Sequence, residues 1–298
     1  MTNAQPLEPM ASPKAKIVIE QSLNLAHQHY ENFPVASVFL PKYLREPIGL
    51  IYRFARQADD FADEGDLTIE NRLALLNGFR DELDLLYAYI KPQTAFFSTL
   101  GQMIKARKLP FEPFYDLLNA FSQDVTKTRY ANYTEVLEYC ARSANPVGRL
   151  LLHLYGQATL DNLKCSDSIC TALQIINFLQ DIAIDFKKND GKQRIYMCQD
   201  EMLAFGITEQ QLASALVDDG WQQFMQFNLQ RVSALMQDGK PLGCILKGRI
   251  GFEMRMIIAG GERIIYKIGK VNGDIFNKRP SLNQWDWIVI LTKALFKK

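Results

Sequence analysis

The chain has 298 residues, 48% of them hydrophobic, and its 34 basic and 33 acidic residues leave a net charge of +1. That content supports a sizeable buried interior, while the near-neutral balance excludes the basic footprint of a nucleic-acid-binding protein. Cys140, Cys165, Cys170, Cys198 and Cys244 match neither a disulfide framework nor a metal-ligand spacing, and read as reduced, packed thiols.

The first residues, MTNAQPLEPMASPKAK, lack the basic start and apolar core of a signal peptide. No run approaches the ~20 apolar residues that span a bilayer. A cytoplasmic location is expected, with contact at the inner membrane face left open. Residues 1–13, with Pro6, Pro9 and Pro13, read as a disordered leader, and residues 14–298 as one all-α domain. A helix is expected over about 14–31, broken by Asn32, Phe33 and Pro34. Pro47 is placed in the first turn of the next helix, where a missing N–H is harmless. That helix carries IYRFARQADDFADE, Ile51 to Glu64. Its apolar residues Ile51, Phe54, Ala55, Ala58 and Ala62 recur with helical spacing. Tyr52, Arg56, Asp59 and Asp63 line a second face at i, i+4, i+7 and i+11. With Asp60 alongside, that face is either a solvated acidic stripe or a cation site.

Further helices are expected over about 68–90, whose alternating charges read as a solvated face, and over 94–107 and 112–127. In the segment 133–156, Pro146 kinks or restarts the helix. Its small residues Ala141, Ser143, Ala144 and Gly148 leave either room for a ligand chain or close helix–helix packing. Next comes QIINFLQDIAIDF, Gln174 to Phe186, apolar nearly all round and therefore expected to be buried. Yet Gln174, Asn177, Asp181 and Asp185 form one polar stripe along it. Buried carboxylates either neutralise or find cations. Asn177 to Asp185 spans about 12 Å at 1.5 Å per residue, room for a row of ions. Two acidic stripes suggest one shared cavity holding hard ions. Mg²⁺ bound by carboxylates and substrate phosphate oxygens is the usual arrangement, which makes the partner a diphosphate.

The stretch KKNDGKQRIY, Lys187 to Tyr196, reads as a loop. Its Lys187, Lys188, Lys192 and Arg194 form either a basic flap for a diphosphate or a solvated loop. Helices are expected over about 208–237, with a break at 218–220, and over 243–268, where Arg255 and Arg263 share a face. The segment with Trp285, Trp287, Ile288, Ile290 and Leu291, before Lys297 and Lys298, is too short to span a membrane. It packs as core or touches a membrane surface.

These motifs, in this order over about His29 to Leu295, resemble the squalene/phytoene synthase family. ENFPVAS (31–37), NFLQDIAID (177–185), RMIIAGGERI (255–264) and RPSLNQWDW (279–287) look like its bacterial hydroxysqualene-forming branch of hopanoid biosynthesis. The resemblance implies the all-α isoprenoid synthase fold with a central substrate cavity. It implies Mg²⁺ on Asp59, Asp60, Asp63, Asn177, Asp181 and Asp185. It implies substrate contacts from His29, Phe33, Arg56, Gln180, Lys188, Arg194, Tyr196 and Arg279. Tyr139 is then expected to face the reacting carbons, with Tyr52 and Asn177 as further catalytic residues and Asp124 and Tyr130 binding or bracing. A late tyrosine of some relatives is replaced here by Ile257.

The expected reaction is ionisation of presqualene diphosphate with capture by water. Head-to-head joining of two farnesyl diphosphates uses the same carboxylates and stands as the alternative. A non-catalytic helical module would be expected to have lost these acids, and a lipid carrier would not need them. The expected partners are an isoprenoid diphosphate, a transient membrane contact and a second enzyme of the pathway.

Overall fold

The computed structural model describes residues 41–187, 193–277 and 279–296. His29, Phe33, Lys188 and Lys192, residues 1–13 and the helix expected over 14–31 lie outside them.

Helix α1 (Lys42–Asp63) contains Pro47 in its interior, not in its first turn. A proline inside a helix deprives the carbonyl four residues back of its N–H. That carbonyl belongs to Tyr43, and the Arg107 guanidinium donates to it at 3.0 Å. The interruption is thus repaired from another helix.

Helices α2 (Ile69–Tyr87), α3 (Ala95–Arg107) and α4 (Glu112–Thr126) follow. Thr68 and Thr94 cap the first two of these, each accepting a backbone N–H of the opening turn. With α1 these helices enclose one apolar core. Its centre is Phe54, Phe79, Phe97 and Phe114, with Phe54–Phe114 and Phe79–Phe97 edge-on at 5.2 and 4.9 Å.

The expected 133–156 helix is two helices, α5 (Tyr133–Ser143) and α6 (Asn145–Leu154), because Pro146 starts a new one within a residue of its N-terminus. Helix α7 (Leu160–Lys187) is the axis of the second core. It is long and apolar enough to cross a membrane by length and composition, contrary to the sequence expectation, but it packs against α5, α6 and the later helices. Residues Ile195–Cys198 are a strand, not the end of a loop. They form β2, which pairs in parallel with β1 (Arg129–Tyr130). All four side chains of β2 are buried, which an apolar run in extended form permits.

The rest of the second core comes from α8 (Gln199–Ala204), α9 (Glu209–Ser214), α10 (Asp219–Gly239), α11 (Leu242–Ile245) and α12 (Gly248–Lys270). Helix α13 (Gln284–Phe296) lies on α12. Tyr155 and Ile250 pack against both cores and mark where they meet.

Candidate active site

The first acidic stripe ends α1. Arg56, one helical turn back, reaches Asp60 at 2.8 Å and Asp59 at 3.4 Å. Asp63 is taken by Arg194, at 2.9 Å through Nη2 and 3.4 Å through Nη1. The second stripe lies near the C-terminal end of α7. There Arg279 holds both carboxylate oxygens of Asp181, with Nη2–Oδ2 at 3.1 Å. Bonding to Asp181, and the charge of Asp185 beside it, raise the Arg279 pKa.

Between the stripes sits a buried hub. Arg194 lies just before β2, so strand pairing fixes its direction. Besides Asp63, its Nη2 donates to the Asp124 carbonyl at 3.0 Å and its Nη1 to the Tyr196 hydroxyl at 3.0 Å. The Asp124 carboxylate accepts from Tyr139 at 2.6 Å and from Tyr196 at 3.3 Å. Burial pushes the Asp124 carboxyl up to about 7. Arg194 and the Tyr139 hydrogen bond pull against that, while the charges of Asp63 and Asp59 add to it. Burial likewise holds the Tyr139 and Tyr196 phenols well above their ordinary value, and Asp185 contributes at Tyr196. For Arg194, burial favours loss of the proton, but Tyr196 and Asp63 outweigh it and the guanidinium stays charged.

Both stripes thus lie within electrostatic reach of the hub. Asp59 and Asp63 act on Asp124 from one side, and Asp185 acts on Tyr196 from the other. The aromatic wall beside them comprises Tyr130, Tyr139, Phe178 and Tyr196. Phe178 and Tyr196 stack at 3.9 Å, and Tyr139 lies 5.5 Å from Tyr196. Tyr130 is braced by Gln123, which also accepts from Arg142.

The structure therefore brings Arg56, Asp59, Asp60, Asp63, Tyr139, Asp181, Asp185, Arg194, Tyr196 and Arg279 into one region. Tyr52 is half-buried on α1, a turn before Arg56, and Asn177 is exposed on α7, a turn before Asp181. Gln180 is buried, and its amide donates to the Pro280 carbonyl at 2.5 Å. It thereby fixes the segment that carries Arg279. Arg255 and Arg263 serve α13: Arg263 pairs with Asp286 at 2.6 Å, and Arg255 donates to the Gly243 and Ala294 carbonyls. At Gly148 close packing wins over an open gap, since a Cβ there would lie 2.3 Å from Ser166 Oγ and 2.6 Å from Cys170 Sγ.

Sequence reasoning missed Gln123 and Glu253. Glu253 is buried on α12 with its Oε2 unpartnered among the described residues, and burial raises its carboxyl to about 7. The signal was present: it is the one acid in the apolar run GFEMRMII.

The donor set suits a hard divalent cation. The acidic side chains are all carboxylates, with Asn177 supplying an amide oxygen. Arg194 and Arg279 present planar forks of the kind that bind phosphate oxygens. Elsewhere, Cys198, Asp200 and Glu201 gather ligand atoms within 4.8 Å, but Arg231 occupies Glu201 at 2.5 and 3.1 Å.

Comparison with known proteins finds relatives over most of the chain. A family model described as squalene/phytoene synthase matches residues 26–286. The chain is 35% identical over 236 residues to a hydroxysqualene synthase of Rhodopseudomonas palustris, covering 79% of this chain and 78% of that protein. It is 25% identical over 305 residues to a 15-cis-phytoene synthase of Synechococcus elongatus, covering 100% of this chain and 98% of the relative. Among solved structures, squalene synthase HpnC from Alicyclobacillus acidocaldarius superposes with a TM-score of 0.76 at 31% identity, covering 88% of this chain and 97% of that one.

Proposed function

This chain belongs to the squalene/phytoene synthase family, and from that premise we propose that it ionises presqualene diphosphate and lets one water capture the cation. The carbon–oxygen bond to diphosphate breaks and its electrons leave with the diphosphate. Water forms the new carbon–oxygen bond and passes its proton to the departing group or to solvent. The products are hydroxysqualene and diphosphate.

The observation that carries this reading is a buried hub bonded to the first carboxylate stripe through Arg194–Asp63 and lying within electrostatic reach of Asp185 of the second through Tyr196. Mg²⁺, assigned here to Asp59, Asp60, Asp63, Asn177, Asp181 and Asp185, would supply charge neutralisation to the leaving group when bound. Arg194 and Arg279 bind and orient the diphosphate oxygens, stabilising charge where it develops. Tyr139 spends its hydroxyl on Asp124, so its contribution to a cation is the ring face, shared with Tyr196 and Phe178. The same wall keeps unwanted water from the reacting carbons.

The full-length match to a 15-cis-phytoene synthase favours a second reading, condensation of two isoprenoid diphosphates. One experiment separates them. Purified protein with Mg²⁺ receives presqualene diphosphate in one tube and farnesyl diphosphate in another, and mass spectrometry identifies the lipids. Hydroxysqualene from the first tube, with the second unreacted and Asp181→Asn inactive, is the expected result. Presqualene diphosphate accumulating in the second tube would move the protein to the condensing step.

A further inference from the structure

Helix α13 wears its apolar residues on the wrong side for a simple core helix. Its buried stripe is narrow: Asp286, Ile290 and Ala294, at i, i+4 and i+8 against α12. Its outer surface carries Trp285, Trp287, Ile288, Leu291, Leu295 and Phe296, all exposed, with Trp285 at 76% and Phe296 at 84%. Isolated exposed apolar residues are ordinary, but six along one short helix form a patch.

The helix is held firmly in this orientation. Asn283 and Asp286 cap its start reciprocally: the Asp286 N–H donates to Asn283 Oδ1 at 3.0 Å, and the Asn283 N–H to Asp286 Oδ2 at 2.8 Å. Lys267 and Arg263 grip the same buried carboxylate, each at 2.6 Å. At the other end Arg255 bonds the carbonyls of Ala294 and Gly243, so α11 lies beside the last turn of α13. The outward display is thus built in.

Charge identifies what the face suits. The only acid of α13 is the buried Asp286. The surroundings hold more base than acid: Lys293 on the helix shares Glu262 of α12 with Lys240, at 3.6 and 2.9 Å, Lys247 and Arg249 are exposed just beyond α11, and the sequence continues into Lys297 and Lys298. Apolar residues with tryptophans, rimmed by lysine and arginine, are the composition of a helix lying in the interface of an anionic bilayer. A second copy of the chain is a poorer fit. A stable dimer commonly needs about 20–30 residues a side, more than this short helix and its rim supply.

We propose that α13 is a membrane-docking helix that seats the protein on anionic lipid surfaces. The inference stands on α13 alone and does not depend on which reaction the site performs.

The full-length protein reports on itself. It has three tryptophans; Trp221 is fully buried, and the other two are Trp285 and Trp287 on the proposed face. Vesicles of phosphatidylcholine with phosphatidylglycerol should shift the emission to the blue and cut acrylamide quenching, whereas phosphatidylcholine alone should do so weakly. Sedimentation with the anionic vesicles should fall about tenfold in the triple variant Ile288→Ser, Leu291→Ser, Leu295→Ser. It should also fall several-fold for wild type between low salt and 0.5 M salt, as electrostatic attraction is screened. The triple variant should keep its melting temperature and its turnover of detergent-solubilised substrate. Equal binding of wild type and triple variant would overturn the proposal. So would a light-scattering dimer that the triple variant dissolves, with no vesicle binding by wild type.

Discussion

Two buried carboxyls, Asp124 and Glu253, are both pushed up to about 7 by burial, yet they belong to different kinds of environment. Asp124 lies in the hub of the acidic end, accepting from two tyrosine hydroxyls and lying beside Arg194. Glu253 lies toward the start of α12, with an oxygen that no described group satisfies. The opposite end of α12 carries Lys267, which donates to Ser281 close to Arg279. Glu253 and Lys267 are therefore about 21 Å apart along the helix at 1.5 Å per residue. A shared titration position conceals opposite wiring. One carboxyl organises its neighbours, and the other is tolerated by them.

The largest difference should appear in turnover. Asp63→Asn removes the carboxylate that anchors Arg194 and is expected to lower kcat by about 10²–10³, an effect of the size seen when charge stabilisation is lost. Glu253→Gln should leave kcat within about twofold in the same assay, where effects of this size are within experimental reach. A dead Glu253→Gln variant that remains folded would break the contrast.

Stability should separate the carboxyls next. Asp124→Asn keeps the size but weakens the bonds to Tyr139 and Tyr196, and is expected to cost about 2–3 kcal/mol by chemical denaturation at pH 7. Glu253→Gln should show the opposite sign. A carboxyl whose folded pKa is raised holds its proton longer in the native state, so stability falls as pH rises from the unfolded value of 4.5 to about 7. Removing that group should therefore stabilise the protein above pH 7, by up to about 2 kcal/mol, with the difference vanishing near pH 4. Denaturant midpoints across this range would show a flatter pH profile in the variant.

The smallest effect carries the same rule to the backbone. Arg107→Ala strands the Tyr43 carbonyl that Pro47 freed, at an expected cost of about 0.5–1 kcal/mol. In the double variant with Pro47→Ala that cost should shrink, because a helical N–H is restored. Additive costs in a double-mutant cycle would show that Arg107 does not repair the break.

Much of the acidic end was legible in the chain because helical spacing is arithmetic. Asp59 and Asp63, or Asp181 and Asp185, must share a face whenever their segments are helical. The break at 218–220 was readable for a similarly local reason, and Asp218 there caps α10 by accepting the Trp221 N–H. What bound the stripes together was not. The contact between Arg194 and Asp63 joins residues 131 positions apart, and Gln180 reaches Pro280 across 100. Strand β2 escaped notice because its pairing partner, β1, is only two residues long and has no pattern of its own. Pro47 was misplaced because the repair of its missing bond comes from Arg107, another distant residue.

The arginine–carboxylate pairs have a further consequence. Each stripe already contains its own counter-ions: Arg56 for Asp59 and Asp60, Arg194 for Asp63, Arg279 for Asp181. On the proposed chemistry, loading is ion exchange. Asp59, Asp60, Asp63 and Asp181 would release their guanidinium partners to hold divalent cations, and Arg56, Arg194 and Arg279 would then be free for the incoming phosphate oxygens. The two components would carry opposite charge, whereas either alone would leave a larger surplus of one sign. Cation and diphosphate should therefore bind with positive heterotropic coupling, each raising the other's affinity by the same factor.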